Sequence, residues 1–274
     1  MRARAETKSL LLVGCGKMGT ALLSGWRKGG VAQQFLVVEP AGLPAPFLSD
    51  PEIASFPSAA ALPADLDPDA IVLAVKPQVV DAVLEEYKHW SQKGTLFLSI
   101  VAGKTIAGLA RGLGKEAAIV RSMPNMAASI GRAISVACAG PGVGPEERSL
   151  CERLLAAIGE SAWVEEEGLL DAVTALSGSG PAYVFLLIEA LAKAGERGGL
   201  LPELALRLAR STVAGAGELA RQAPEHPSLL RRNVTSPGGT TEAALAVLMA
   251  EGGLADLIER AVAAAARRSR ELAL

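Results

Sequence analysis

Short apolar runs with few polar interruptions recur along the first half of the chain: Leu10–Val13, Phe35–Val38, Ala70–Val75, Thr95–Ile100, Ala117–Val120, Ile134–Ala137 and Ala162–Val164. Strands buried on both faces need this pattern, because neither face carries polar residues out to solvent. Between them the apolar spacing turns helical at Met18–Lys28, Val79–Trp90, Thr105–Leu113 and Pro145–Ile158. The last of these opens with a proline and two glutamates, which suit the first turn of a helix. Ala41–Pro68, rich in Pro and Ala, predicts a loop-dominated excursion with one short strand at Ile53–Phe56. The alternation predicts an α/β fold with an N-terminal, doubly wound parallel sheet of the Rossmann type.

After the acidic stretch Glu165–Glu167 the strand pattern ends, and the chain to Leu274 is helical with breaks. The breaks fall at Gly178–Pro181, Gly198–Pro202, Ala223–Pro227 and Ser236–Gly239. The expected domains are therefore 1–166, a Rossmann domain, and 167–274, an all-α domain. Roughly 100 residues of Ala/Leu-rich helices make a poor core on their own, so this half is expected to pair with a second copy.

Composition narrows the function. Half of the 274 residues are hydrophobic, the mean hydropathy is +0.32, and 27 basic residues nearly cancel 29 acidic ones to leave a net charge of −2. Such a balance provides no broad cationic surface for nucleic acid. No apolar run approaches the roughly 20 residues that cross a bilayer, so neither a signal peptide nor a spanning helix is expected. The basic leader Met1–Lys8 is expected to be a frayed end. Three cysteines, Cys15, Cys138 and Cys151, form no CxxC pair, which predicts a reduced, cytoplasmic protein without disulfides. With only His89 and His226, neither a metal site nor a Ser/His/Asp triad is expected.

Gly14-Cys15-Gly16-Lys17-Met18-Gly19 follows the first strand and opens the first helix. In that context the pattern predicts a dinucleotide site: Gly14 for the tight turn, Gly16 for close approach of a pyrophosphate to main-chain N–H groups, Gly19 for packing of helix on sheet. Glu39 ends the second strand twenty residues after Gly19, where a carboxylate accepts from ribose hydroxyls and repels a 2′-phosphate. Taken alone this favours NADH over NADPH, with Arg27 or Lys28 as cations able to fold back towards a phosphate. Ala74-Val75-Lys76-Pro77 and the segment Ser99–Gly103, with Ala102 and Gly103, end later strands at the crevice edge and complete the cofactor candidates, Lys76 being either a catalytic amine or a phosphate or ribose neighbour. Arg121-Ser122-Met123-Pro124-Asn125 ends the next strand, and its Asn125 either orients substrate or holds a turn.

In the helical half, Ser177-Gly178-Ser179-Gly180-Pro181 interrupts a helix, implying close approach by another element. Ser236-Pro237-Gly238-Gly239-Thr240-Thr241 precedes a helix whose first N–H groups and two hydroxyls either form a carboxylate site or merely cap the helix.

Taken together, Gly14–Gly19, Ala74–Pro77, Met123-Pro124-Asn125, Leu176–Tyr183 and Val234–Thr241 resemble the pyrroline-5-carboxylate reductase family over nearly the whole chain. The SPGGTT segment is the most specific element. The resemblance implies a Rossmann domain followed by a helical dimerisation and substrate domain, a homodimer sometimes assembled into a higher ring such as a decamer, and active sites at the dimer interface. It implies reduction of L-1-pyrroline-5-carboxylate to L-proline by NADPH or NADH, the final step of proline biosynthesis. Residue by residue, it implies that Ser236, Gly238, Gly239, Thr240 and Thr241 hold the substrate carboxylate, that Thr241 places a catalytic hydroxyl near the ring nitrogen, and that Glu167 is an acid close to the substrate. Glu39-Pro40 departs from the small polar residue and arginine common there, which puts NADPH preference in doubt.

The scarcity of histidine agrees with such a substrate. A carbonyl reductase must protonate an alkoxide, whereas a cyclic imine is protonated in water before it binds and becomes a neutral amine on accepting hydride. Two other readings compete. A hydroxyacid dehydrogenase would use Lys193 as its acid/base, and a nucleotide-sensing module would bind NAD(P)H without turnover and would not need Ser236–Thr241.

Overall fold

In the computed structural model, which describes residues 8–272, eight strands form a single sheet in the order β3-β2-β1-β4-β5-β6-β7-β8. They are β1 (Ser9–Val13), β2 (Gln34–Val38), β3 (Ile53–Phe56), β4 (Ala70–Leu73), β5 (Leu96–Ser99), β6 (Ala118–Met123), β7 (Ala133–Ala139) and β8 (Gly159–Trp163). The central strands β1, β4 and β5 are buried along their whole length. Alternate side chains feed two separate cores. Leu10, Leu12, Phe35 and Val37 meet Leu22 and Trp26 of helix α1 (Lys17–Gly29) and Leu154 of α4 (Pro145–Ala156) on one face. Leu11, Val13, Ile71 and Phe97 meet Leu84 of α2 (Val80–Tyr87) and Leu109 of α3 (Ile106–Leu113) on the other. The Trp26 indole fixes the first layer by donating to the Leu154 carbonyl at 3.0 Å.

The doubly wound sheet is as expected from the sequence, with one exception. β7 runs antiparallel to β6, pairing Ser122 with Ala137, whereas every other neighbouring pair is parallel. The connection 124–132 is too short for a parallel crossover and holds only a 3-10 turn, Met126–Ile130. The predicted long helix Val79–Trp90 stops as α-helix at Tyr87 and continues as a 3-10 turn, Lys88–Lys93. The expected fraying of Met1–Lys8 falls, apart from Lys8, outside the described residues.

The chain forms two compact units, residues up to Gly178 together with Ala266–Leu274, and Ser179–Ala265. In the first, α5 (Leu169–Val173) runs into a π-helical turn, Thr174–Gly178, and the end of helix α10 (Leu254–Leu272) returns, with the Ser269 hydroxyl donating to Asp171 at 2.6 Å. In the second lie α6 (Gly180–Arg197), α7 (Pro202–Gln222), α8 (Pro227–Asn233) and α9 (Thr240–Leu248). Among its described residues only the small Ala192, Ala205 and Ala209 are buried hydrophobics, while Phe185 and Leu186 are 62% and 64% exposed. A unit so poor in buried large side chains has an apolar surface still to cover.

As the sequence predicts, the α-helix is interrupted at Ser177–Pro181: α5 ends at Val173, the π turn spans Thr174–Gly178, Ser179 forms a bend, and α6 begins at Gly180 with Pro181 in its first turn. The helical stretch Leu169–Arg197, 29 residues, is long and apolar enough, by length and composition alone, to cross a membrane, which the separate apolar runs did not suggest.

Candidate active site

The glycine loop sits where β1 hands over to α1. Gly14 adopts φ +93°, and a Cβ there would fall 2.8 Å from the Ala74 carbonyl oxygen. A Cβ on Gly19 would fall 2.3 Å from the Gly14 carbonyl oxygen. These two glycines are demanded by the fold itself. Gly16 differs, because a Cβ there would meet nothing within 4 Å and would project into open space. Its backbone is extended, so no strain excludes a side chain, and what the missing Cβ leaves is room for a ligand to approach the main chain. The first i→i−4 bond of α1 runs from Thr20 N–H to Gly16 C=O at 2.8 Å, so the amides of Lys17, Met18 and Gly19 precede it and the positive helix end faces the loop. Cys15 is a different case: its N–H donates to Glu39 Oε2 at 2.7 Å and its thiol is buried, with burial the main cause of a raised pKa.

Beside the loop a cleft of about 420 Å³ is lined by Gly14, Gly16, Glu39, Pro40, Ala74, Val75 and Lys76, and further out by Pro57–Ala59, Val79, Val83, Glu86 and Tyr87. The structure thus joins Gly14, Gly16, Glu39, Ala74, Val75 and Lys76 in one place. Pro77 turns the chain there, with Val79 N–H donating to Lys76 C=O at 3.2 Å. A room of this size, mostly apolar with main-chain donors at one end, fits a dinucleotide. Pro57–Ala59 and Tyr87 had no motif to mark them; they reach the cleft only because β3 and α2 flank it.

Arg27 does not fold back to this cleft. It lies ten residues after Lys17 on α1, about 15 Å along the axis, where its guanidinium holds Asp50 at 2.7 and 3.0 Å and also contacts Glu52. The paired Asp50 carboxyl is kept below the usual range by that guanidinium. Lys28, beside it, is exposed at the same far end of the helix.

At the edge formed by the ends of β5 and β6, Glu167 Oε1 accepts from the Arg121 guanidinium at 2.9 Å and from the Ile106 N–H, at the start of α3, at 2.8 Å. Arg121 is only 6% exposed, so this carboxylate answers a buried cation as well as a helix N-terminus. Nearby, burial raises the Cys138 thiol, with Glu167 adding to the shift. Asn125 donates to Ser177 Oγ at 3.2 Å, and its Oδ1 is buried with no partner. Gly178 has its own explanation, since a Cβ there would fall 2.5 Å from the Met123 methyl group; the close neighbour is a strand side chain, not another helix. Ala102 is exposed, and Gly103 (φ +75°) is pressed by the Leu272 carbonyl oxygen, 2.8 Å from where a Cβ would stand.

In the second unit, Gly239 N–H donates to Ser236 C=O at 3.0 Å across Pro237 and Gly238, with Gly238 at φ +71°. Proline followed by a left-handed glycine is the signature of a type II turn. Gly239 then caps α9, whose first i→i−4 bond, Ala243 N–H to Gly239 C=O, leaves the amides of Thr240, Thr241 and Glu242 ahead of it. Glu242 reaches back to accept from Gly238 N–H at 2.7 Å. Ser236, Gly238 and Thr240 are exposed, while Gly239 and Thr241 are half-buried. Lys193 stands exposed on α6. Among the described residues no His, Cys, Asp and Glu group could hold a metal ion.

Comparison with known proteins completes the picture. Residues 167–272 match the family model described as pyrroline-5-carboxylate reductase dimerisation, and residues 9–103 match that described as NADP oxidoreductase coenzyme F420-dependent. A pyrroline-5-carboxylate reductase of Pseudomonas aeruginosa is 39% identical over 274 aligned residues, covering 98% of each chain. Among solved structures, a pyrroline-5-carboxylate reductase from Coxiella burnetii superimposes with a TM-score of 0.90 at 33% identity, covering 98% of this chain and 100% of the other. A pyrroline carboxylate reductase of Plasmodium falciparum with NADP bound gives 0.84 at 29% identity, covering 98% and 99%.

Proposed function

Since this chain belongs to the pyrroline-5-carboxylate reductase family, we propose that its two units divide the work of reducing L-1-pyrroline-5-carboxylate to L-proline, the first holding NAD(P)H and the second the substrate carboxylate. The observation that carries this division is the pair of helix N-termini with unengaged main-chain donors, one opened by Gly16 and one by Gly239. Functionally the boundary lies at 166/167, supported by where the dimerisation match begins.

The bound reduced nicotinamide supplies the hydride that the imine carbon accepts. The amides of residues 16–19 would hold the pyrophosphate and Glu39 the ribose hydroxyls, with Ala74–Pro77 and Ala102–Gly103 along the sheet edge. The turn at Ser236–Gly239 and the amides of Thr240 and Thr241 would orient the substrate carboxylate, leaving the Thr241 hydroxyl for the ring nitrogen. That nitrogen arrives protonated, so these residues need only orient it and keep the imine carbon facing the hydride donor. No strong acid is required, in keeping with two histidines in the chain.

The dimerisation match supports a homodimer, and the exposed apolar side chains of α6 are the surface a second copy would cover. Assembly of dimers into a ring such as a decamer, and a cytoplasmic location, are part of the proposal; the three buried free thiols suit a reducing compartment.

Adding pyrroline-5-carboxylate to the protein with NADH or NADPH should produce loss of the reduced-nicotinamide absorbance and formation of proline. Binding of either cofactor without turnover would leave the sensing module in its place.

Glu167 has two possible duties, and the geometry favours anchorage, since Oε1 already serves Arg121 and Ile106 N–H. Glu167→Gln should therefore destabilise the fold by about 1–3 kcal/mol, a fall in Tm of several degrees, with an unchanged pH profile of kcat/KM. A displaced acid limb at constant Tm would put the carboxylate beside the iminium instead.

A further inference from the structure

Two acids, Glu39 and Glu86, line the cleft beside the glycine loop, and among its described lining residues Lys76 is the sole cation; Glu39 ends β2, where a dinucleotide's adenosine ribose would lie. Glu39 is not a swinging side chain. Its Oε2 accepts from Cys15 N–H at 2.7 Å and its Oε1 from Ala41 N–H at 3.1 Å, so the carboxylate is clamped at the end of β2 before any ligand arrives. Each oxygen still has acceptor capacity for a hydroxyl.

A 2′-phosphate would bring a charge of about −2 against that clamped carboxylate. The cations named from the sequence cannot offset it, because Arg27 is committed to Asp50 and Glu52 and, with Lys28, lies at the far end of α1. Lys76 follows β4, and β1 lies between that strand and β2. We propose that Glu39 is the specificity-determining residue of this chain, selecting a dinucleotide with a free ribose 2′-hydroxyl, NADH, over its 2′-phosphorylated form. The NADP-bound relative shows that the fold admits the phosphate; the clamped carboxylate is what would refuse it here.

The inference rests on the dinucleotide half of the proposed function and is tested without turnover. Titrating the full-length protein with NADH and NADPH by cofactor fluorescence, with 5′-AMP and 2′,5′-ADP as competitors, should give NADH at least about 10-fold tighter binding, since like charges placed together cost several kcal/mol. Glu39→Ser should shrink that ratio about 10-fold or reverse it. Glu39→Gln, which keeps the side-chain shape if the serine variant does not fold, should shrink it in the same direction. Lys76→Ala should weaken both cofactors equally. Wild-type protein that binds NADPH as tightly as NADH, an unchanged ratio in the folded Glu39 variants, or a Lys76→Ala loss confined to NADPH would overturn it. Failure to oxidise either cofactor with pyrroline-5-carboxylate would defeat the reductase reading and leave this ratio standing.

Discussion

Gly16→Ala is expected to leave the protein folded while weakening NAD(P)H about 10- to 100-fold, the scale of one lost hydrogen bond to a charged phosphate. The expectation comes from the contrast among three glycines. A methyl group on Gly14 or Gly19 would collide with main-chain oxygens at 2.8 and 2.3 Å, so those substitutions damage the fold, and lost binding would say nothing about the ligand. On Gly16 the methyl group meets nothing of the protein. It occupies only the space through which a pyrophosphate would approach the amides of α1. Calorimetry should show a Tm within about 3 °C of wild type, beside a fluorescence titration showing the loss. Unaltered cofactor binding by the folded variant would mean that the pyrophosphate lies elsewhere.

Thr241→Ala should lower kcat/KM for pyrroline-5-carboxylate by about 10- to 100-fold, corresponding to one oriented hydrogen bond of roughly 1.5–3 kcal/mol. The half-buried Thr241 follows the turn Ser236–Gly239, so its side chain starts from a backbone fixed by Pro237 and Gly238. Removing the hydroxyl leaves that backbone and its donors in place. The loss should therefore appear mainly in kcat, with cofactor affinity unmoved, and Thr241→Ser should recover most of it. Kinetics indistinguishable from wild type would remove this hydroxyl from the reaction.

The sheet could be read in the chain because its central strands β1, β4 and β5 bury both faces, and Leu10–Val13 followed by three spaced glycines leaves little freedom in what comes next. Even the short strand Ile53–Phe56 was visible as an apolar island among prolines. Strand direction was not, since a buried apolar run looks the same either way along; only the shortness of 124–132 turns β7 around. Glycine and proline at Gly178–Pro181 marked the break between α5 and α6, but not that a π turn would fill it. The union of Arg121 with Glu167 joins residues far apart in sequence, and no local pattern encodes such a partner. The same holds for Pro57–Ala59 and Tyr87 in the cleft. The cofactor loop was legible through its glycines, and the duty of each glycine emerged only from what its missing Cβ would touch.

The last turn of α10 lies against Gly103 and Asp171, so the nucleotide-binding half is stitched from two separate stretches of polypeptide. A single cut between the two stretches therefore cannot liberate that half intact. Anyone excising it for study must carry residues 266–272 along, for without them Gly103 and Asp171 lose the helix that packs on them.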